Sequence, residues 1–462
     1  KMKKNIILGL EKPRFGIQPN IKPKHLLPKQ LALLNKALSA KDYFLLQGPP
    51  GTGKTKYLLK EMVAHLYQNT NQRIVLLAYT NRAVDEICSA IKTIQETPFF
   101  VRLGYGESTE HGDVLLNKKT KGKGLKDIRT LLTDCRVYVA TVLTFLKNID
   151  IIQRLSFDTA IVDEASQLLE PQIVGILGKV KRFILIGDEK QLPAVVIQNE
   201  CTLINQNIEL KTIGIDNLSV SLFERLLKNC KQKEWTNAFG MLQDQGRMHK
   251  AILDFPNSYF YNKKLSVINS TQQKKFLLPL SEKTTQPIEK ILQQYRSFFI
   301  ATKPEKKWGV STNEAKWVTR LVAQLKQLLG TSFDENSIGV ITPFRAQIGE
   351  IKKQFGAYPT LKNVPITVET VERYQGSERN VIVISFAANY EQQMPNLSVK
   401  MYDIDGNVVD RKLNVALTRA KDYLILIGCP KVLETDGVYA KLINFYRKKG
   451  TLFAEKDLLL KS

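Results

Sequence analysis

The stretch Gln47-Gly-Pro-Pro-Gly-Thr-Gly-Lys-Thr55 restricts what this chain can fold into more than any other. Gly48, Gly53, Lys54 and Thr55 fit the spacing G-x-x-x-x-G-K-[ST], with Pro49, Pro50, Gly51 and Thr52 between them. Glycines let the backbone curl so that successive N–H groups face one concavity, which suits phosphate oxygens. Lys54 adds a mobile charge for the β- and γ-phosphates, and the Thr55 hydroxyl is a ligand for Mg²⁺. Tyr43–Leu46 reads as a short buried strand and Lys56–Leu66 as a helix, whose N-terminus brings its dipole to an anion. The stretch predicts a nucleoside-triphosphate site with ATP and Mg²⁺ as cofactors.

At 462 residues the chain predicts two or more domains. No apolar run approaches the roughly 18 residues of a membrane span, so no membrane is expected to be crossed. The opening Lys1-Met-Lys-Lys is basic, but the apolar run after it is too short for a signal peptide. Methionine in second place reads as a piece of a longer protein. A formal charge of +24 points to a polyanion, either nucleic acid or a membrane surface. Cys88, Cys135, Cys201, Cys230 and Cys429 are scattered without a C-x-x-C pair, which argues against zinc or iron–sulfur ligation and for a reduced intracellular compartment.

The periodicity is that of α/β architecture. Four prolines between residues 11 and 28 read as an extended arm, so residues 1–29 are expected to be an arm or linker. Gln30 opens a helix; its amide suits the donor and acceptor edge of an adenine, and equally a solvated cap. Strand Arg73–Tyr79 leads into Thr80-Asn81, placed at the carboxyl edge of a parallel sheet, where ligands bind. Between Gly104 and Thr133 glycines and lysines mark an insertion, either a phosphate contact or a solvated loop. Strand Arg136–Thr141 follows. Strand Thr159–Val162 ends in Asp163 and Glu164, the first placed to hold Mg²⁺ through water and the second to deprotonate an attacking water. Gln191, after strand Arg182–Gly187, suits a γ-phosphate sensor or a polar turn closed by Pro193. After the helix Lys250–Tyr259 a basic, polar stretch reads as loop to about residue 300; alternation then returns with a helix Asn313–Leu329, without a second phosphate loop. The expected domains are 30–234 and 235–462. In the second, Arg247 and Arg419 each offer a planar fork to a γ-phosphate, or a surface ion pair.

Six ordered stretches carry a family resemblance: Gly48–Thr55, Asp163-Glu-Ala-Ser-Gln167, Gly187–Pro193, Gln245-Gly-Arg-Met-His249, Tyr374-Gln-Gly-Ser-Glu378 and Leu413–Lys421. Together they resemble the motifs of superfamily 1 helicases, in the branch of the nonsense-mediated-decay RNA helicase. The wording of Thr370–Gly376 and Arg411–Lys421 is most similar to the helicase half of the flap-trimming replication nuclease–helicase. The resemblance implies two tandem RecA-like domains that hydrolyse ATP in their cleft, with single-stranded DNA or RNA across the top and movement 5′ to 3′. It further implies Gln30 on adenine, Gln191, Arg247 and Arg419 on the γ-phosphate, and Glu378 near the ribose or phosphates. Thr80, Asn81, Thr141, Thr342 and Thr370 fall where the family touches the nucleic-acid backbone. Relatives usually read Gln-Tyr-Arg-Met-His with the tyrosine on adenine, whereas position 246 here is glycine, which implies a weaker grip on the base. The arm before Gln30 is too short for the family's β-barrel, so accessory contacts are expected to be reduced or to lie in a part outside this chain, and nothing here resembles the nuclease half.

The expected function is an ATP-dependent translocase or helicase; the alternatives are an ATP-switched clamp or remodeller, an RNA helicase, and a small-molecule kinase. A monomer is expected, with a nuclease or accessory domain outside this chain as a further partner.

Overall fold

The computed structural model describes residues 2–104, 109–148, 155–198, 200–268, 270–274, 287–403 and 406–458. Part of the insertion after Gly104, and part of the basic stretch read as loop to about residue 300, lie outside them.

Seven short apolar runs form the first sheet: β1 (Tyr43–Gln47), β2 (Ile74–Ala78), β3 (Phe100–Arg102), β4 (Val137–Thr141), β5 (Thr159–Val162), β6 (Arg182–Gly187) and β7 (Phe239–Met241). Their order is β3-β4-β2-β5-β6-β1-β7, with every neighbouring pair parallel. Alternate side chains enter two different cores. Tyr43, Leu45, Val75, Leu77, Phe183 and Leu185 face one, while Phe44, Leu46, Leu76, Ile161, Ile184 and Ile186 face the other. Burial on both faces explains why these strands read as continuous apolar runs rather than alternating ones.

Six further strands make the second sheet: β8 (Ser297–Ala301), β9 (Ile338–Ile341), β10 (Thr367–Glu369), β11 (Arg379–Ser385), β12 (Ala420–Gly428) and β13 (Leu452–Ala454). They run parallel in the order β10-β9-β11-β12-β8-β13. The helix Thr312–Leu329 packs Ala315, Val318, Leu321, Val322 and Leu325 onto one face. The α/β class with two parallel, helix-flanked sheets is therefore as the sequence predicts.

By contacts the chain divides into Lys1–Glu189 with Pro193–Asp244, and Lys190–Leu192 with Gln245–Ser462. The stretch read as an extended arm is packed into the first unit. Met2–Ile7 is a helix with Ile6 and Ile7 in the core. The buried Arg225 guanidinium donates to the carbonyls of Ile7 and Leu8. Arg14 forks onto Asp42. Prolines spaced along a chain stop helices; they do not stop it from adhering to a domain. The insertion also holds more structure than its glycines announce, with helices Leu116–Thr120 and Leu125–Asp134 and buried Val114 and Leu115. Among the described residues no helix is long and apolar enough to cross a membrane.

Candidate nucleotide and nucleic-acid site

In the first unit, the loop after β1 carries the phosphate-binding pattern. Gly51 and Gly53 have φ of 76° and 73°, a left-handed conformation that side-chain-bearing residues rarely adopt. Gly53 is doubly constrained, because a Cβ there would lie 2.4 Å from the Tyr57 ring. Gly48 N donates to Gly187 O at 2.8 Å, tying the loop to the end of β6. Thr52 closes the turn by donating its hydroxyl to Pro49 O at 2.7 Å. Lys54–Leu59 then begins as a wide π-helical segment and runs into the α-helix Lys60–Asn69.

The end of β5 brings in the carboxylates. Asp163 is buried, and its Oδ2 accepts the Thr55 hydroxyl at 2.5 Å. Glu164 Oε1 accepts the Lys54 ammonium at 2.5 Å, and Asp163 Oδ1 lies 3.7 Å from the same nitrogen. Four expected site residues thus meet at one point. Glu164 takes a φ of 53°, unusual outside glycine and found where surrounding structure over-determines the backbone. Its own N–H donates to Asp163 Oδ1 at 2.8 Å, and Gln167 Nε2 donates to its Oε2 at 2.9 Å. Gln167 stood inside the motif without a role; its spacing of three from Glu164 was the available signal.

Electrostatics follow from burial and proximity. Burial drives the Asp163 carboxyl above its ordinary range, against the pull of the Lys54 charge. Burial alone would lower Lys54, but Glu164 and Asp163 more than offset it and hold the ammonium above its ordinary value. A permanently charged ammonium beside hard oxygen donors suits a triphosphate with a divalent ion. The Thr55 hydroxyl and the Asp163 carboxylate lie side by side at this point, joined by their own hydrogen bond.

Other first-unit residues are placed as follows. Gln30 is buried three residues into the helix Pro28–Ser39, and its Oε1 accepts Leu27 N–H at 3.1 Å, so it does serve as a cap. Thr80 and Thr141 follow or end the adjacent strands β2 and β4, each capping a helix by accepting an N–H, from Ala83 and Thr144. Thr80 and Asn81 are exposed, whereas Thr141 is buried. The carboxyl edge of this sheet therefore presents Thr141, Thr80, Asp163, Asp188 and the phosphate loop in strand order.

The second unit groups its candidates differently. Arg247 Nε donates to Glu378 Oε2 at 2.6 Å and its Nη1 to Thr418 O at 3.2 Å. Lys421 Nζ reaches Glu378 Oε1 at 2.7 Å. Burial works against ionisation of Glu378, yet Arg247 and Lys421 hold its carboxyl down at about 2. Arg419 is buried, donating to Val415 O at 3.0 Å and to Gln191 Oε1 at 3.4 Å. Gln191 belongs to this unit through the segment Lys190–Leu192. Lys190 Nζ donates to Phe260 O at 2.5 Å, and Asn414 Nδ2 donates to Lys190 O at 2.6 Å. Glu378 and Arg419 immediately precede β11 and β12, where the ladder shifts register between Arg379 and Val381. They sit at the amino edge of the second sheet. Thr342 and Thr370 follow β9 and β10 at the opposite, carboxyl edge. Thr342 is fully buried with its hydroxyl unpartnered. Lys421 and Thr418, which fix Arg247 and Glu378, were not singled out from the sequence.

Two family profiles, each described as an AAA domain, match residues 30–196 and 218–431. Over 455 residues the chain is 31% identical to the DNA replication ATP-dependent helicase/nuclease DNA2 of Xenopus laevis, covering 92% of this chain and 39% of that protein. The Bos taurus counterpart is 32% identical over 447 residues, covering 91% and 38%. The DNA replication ATP-dependent helicase/nuclease JHS1 of Arabidopsis thaliana is 29% identical over 465 residues, covering 97% and 32%. The chain thus spans 32% to 39% of the length of these relatives. With six motifs in order, two parallel sheets and this alignment along nearly its whole length, the chain belongs to the superfamily 1 helicases, in the branch of the nonsense-mediated-decay RNA helicase.

Proposed function

We infer that the chain is an ATP-dependent translocase that moves 5′ to 3′ along single-stranded DNA and separates duplexes ahead of it. The observation that carries this is the meeting of Lys54, Thr55, Asp163 and Glu164 at the end of β5. The printed names of the relatives, DNA replication ATP-dependent helicase/nucleases, support DNA as the substrate.

Thr55 and Asp163 would hold Mg²⁺, which when bound neutralises charge on the β- and γ-phosphates. Phosphate oxygens compete for Lys54, and its departure releases Glu164 Oε1. Glu164, kept oriented by Gln167, then accepts a proton from water whose oxygen attacks the γ-phosphorus. The bond from that phosphorus to the β-bridging oxygen breaks, leaving ADP and phosphate. Arg247, Arg419 and Gln191 would contact the γ-phosphate, and Glu378 positions Arg247. Gln30 would address adenine with its remaining amide group. Thr80, Asn81, Thr141 and Thr370 would meet the strand's phosphates, giving salt-sensitive binding, whereas Thr342 is fully enclosed and offers a strand no surface.

Unwinding of matched 5′- and 3′-tailed duplexes, each as DNA and as RNA, tests this. Opening of the 5′-tailed DNA alone is expected. Preference for RNA, or for the 3′ tail, would overturn substrate or polarity, and ATP turnover indifferent to single strands would overturn the translocase itself.

A further inference from the structure

The carboxyl edge of the second sheet carries a feature that the phosphate-contacting threonines leave unexplained. Trp308, in the loop after β8, is 56% exposed, and Tyr390, after β11, is 37% exposed. Their rings stack at 6.0 Å between centroids with planes 19° apart. Single exposed aromatics are ordinary, but two stacked on each other from separate loops make a flat apolar face. This pair is also held rigidly. Asn389 Nδ2 donates to Lys307 O at 2.6 Å and Val310 O at 2.8 Å, while its Oδ1 accepts Glu305 N–H at 2.9 Å. One side chain therefore clamps both ends of the turn that presents Trp308. Gly309, at a φ of 64°, lies so close to Phe344 that a Cβ would come within 3.1 Å of the ring. Phe344 is two residues from Thr342, so the shelf and the threonine edge are braced against each other.

Four cations and one exposed carboxylate, Glu391, lie near the pair in the chain. Lys303, Lys306, Lys307 and Arg345 are exposed, and the nearby Glu305 carboxylate is turned inward, accepting Ser311 Oγ at 3.0 Å and Asn313 N–H at 2.6 Å. Aromatic faces interleaved with cations are what unstacked bases and their phosphates require. A spacing of 6.0 Å is too tight to admit a base between the rings, which needs roughly 7 Å, or twice the 3.4 Å step of a stack. The available surface is the outer face of one ring.

We propose that Trp308, backed by Tyr390, is a base-stacking shelf for single-stranded nucleic acid on the second unit. It adds contact with bases to the phosphate contacts, and it rests on the single-strand reading above. Of the three tryptophans, Trp317 is buried and Trp235 half-buried under Lys233, so Trp308 is the exposed reporter.

The test titrates the full chain with an oligo-dT strand and with an abasic strand of equal length, reading tryptophan fluorescence and affinity. Oligo-dT is expected to quench Trp308 and to bind more tightly than the abasic strand. Trp308→Ala should weaken oligo-dT about ten-fold and leave the abasic strand unchanged. Trp308→Phe should recover most of the loss, and Tyr390→Ala should show a smaller one. Equal binding of both strands, unaffected by Trp308→Ala, would overturn the shelf and leave the translocase standing. An equal loss for both strands in Trp308→Ala would likewise overturn stacking, as a general disturbance of the loop. Failure of the unaltered chain to bind either strand would remove the single-strand reading and the shelf with it.

Discussion

The Lys54 ammonium lies 2.5 Å from Glu164 Oε1, so the cation that suits phosphates and the carboxylate that suits water are each other's partners. Each must leave the other before either can work. Glu164→Gln removes the proton acceptor while keeping a similar shape. Nucleotide affinity is expected to hold or rise, and single-strand-stimulated phosphate release to fall by about two to three orders of magnitude. Turnover within ten-fold of the unaltered chain would take Glu164 out of this role. Lys54→Ala should instead lose nucleotide binding and turnover together.

Gly187 ends β6 against the turn that carries Glu164. A Cβ there would stand 2.9 Å from Ser166 N and 3.2 Å from the Phe223 ring. Gly187→Ala must push the turn away, at a cost of about 1–3 kcal/mol. A lower denaturation midpoint should accompany slower hydrolysis, since Gln167 and Glu164 move with Ser166. An unchanged midpoint with unchanged turnover would show that the turn yields freely.

Position 246 has room for what it lacks. Gly246 is exposed, outside the left-handed region, and a Cβ would meet only Ile268 at ordinary contact, 3.5 Å. Gly246→Tyr is expected to lower KM for ATP and for GTP together, several-fold, because a stacked ring favours either purine face, and to leave the affinity for inorganic triphosphate unchanged. If triphosphate gains as much as the nucleotides, the new ring is not over the base.

Glu314 sits fully enclosed in the second unit, accepting Ser385 Oγ at 2.7 Å and Ala387 N–H at 2.9 Å on Oε2. Burial pushes its carboxyl from an ordinary 4.5 up to about 8, with Glu305 and Glu455 adding to the effect against those two hydrogen bonds. Below pH 4.5 the folded and unfolded chains both hold this proton, and its contribution to stability is complete. As pH rises towards 8 the unfolded chain ionises first, so stability falls by up to ~1.4 kcal/mol per pH unit. Glu314→Gln cannot ionise and should gain on the unaltered chain steadily from pH 5 to 8 in denaturant midpoints. A difference that does not vary with pH would mean that Glu314 is already charged in the folded state.

Much of the first-unit site is legible in the sequence because its chemistry is local. Glycines, Lys54 and Thr55 are consecutive, and Asp163 and Glu164 end an apolar run that can only be a buried strand. The edge strand β7 was not legible: Phe239–Met241 is three residues long and half-buried, too short for any period to register. Nor was the Met2–Ile7 helix, because its hold on the domain comes from Arg225, more than two hundred residues away in sequence. The shelf at Trp308 needed the loops after β8 and β11 to be brought together by parallel strands that are not themselves neighbours in the sheet. Such pairings carry no signature along the chain.

The attachment of Lys190–Leu192 to the second unit bears on how this protein can be dissected. A fragment cut at Gln245 would look complete by sequence, yet Asn414 would lose its acceptor at Lys190 O and Arg419 its acceptor at Gln191. The excised half would lose one hydrogen bond from each of these two buried side chains, which keep Tyr261 and Val415 as partners, a defect belonging to the scissors rather than to the protein. A faithful second half has to be supplied with those three residues, as a short peptide added in trans or spliced back by a linker.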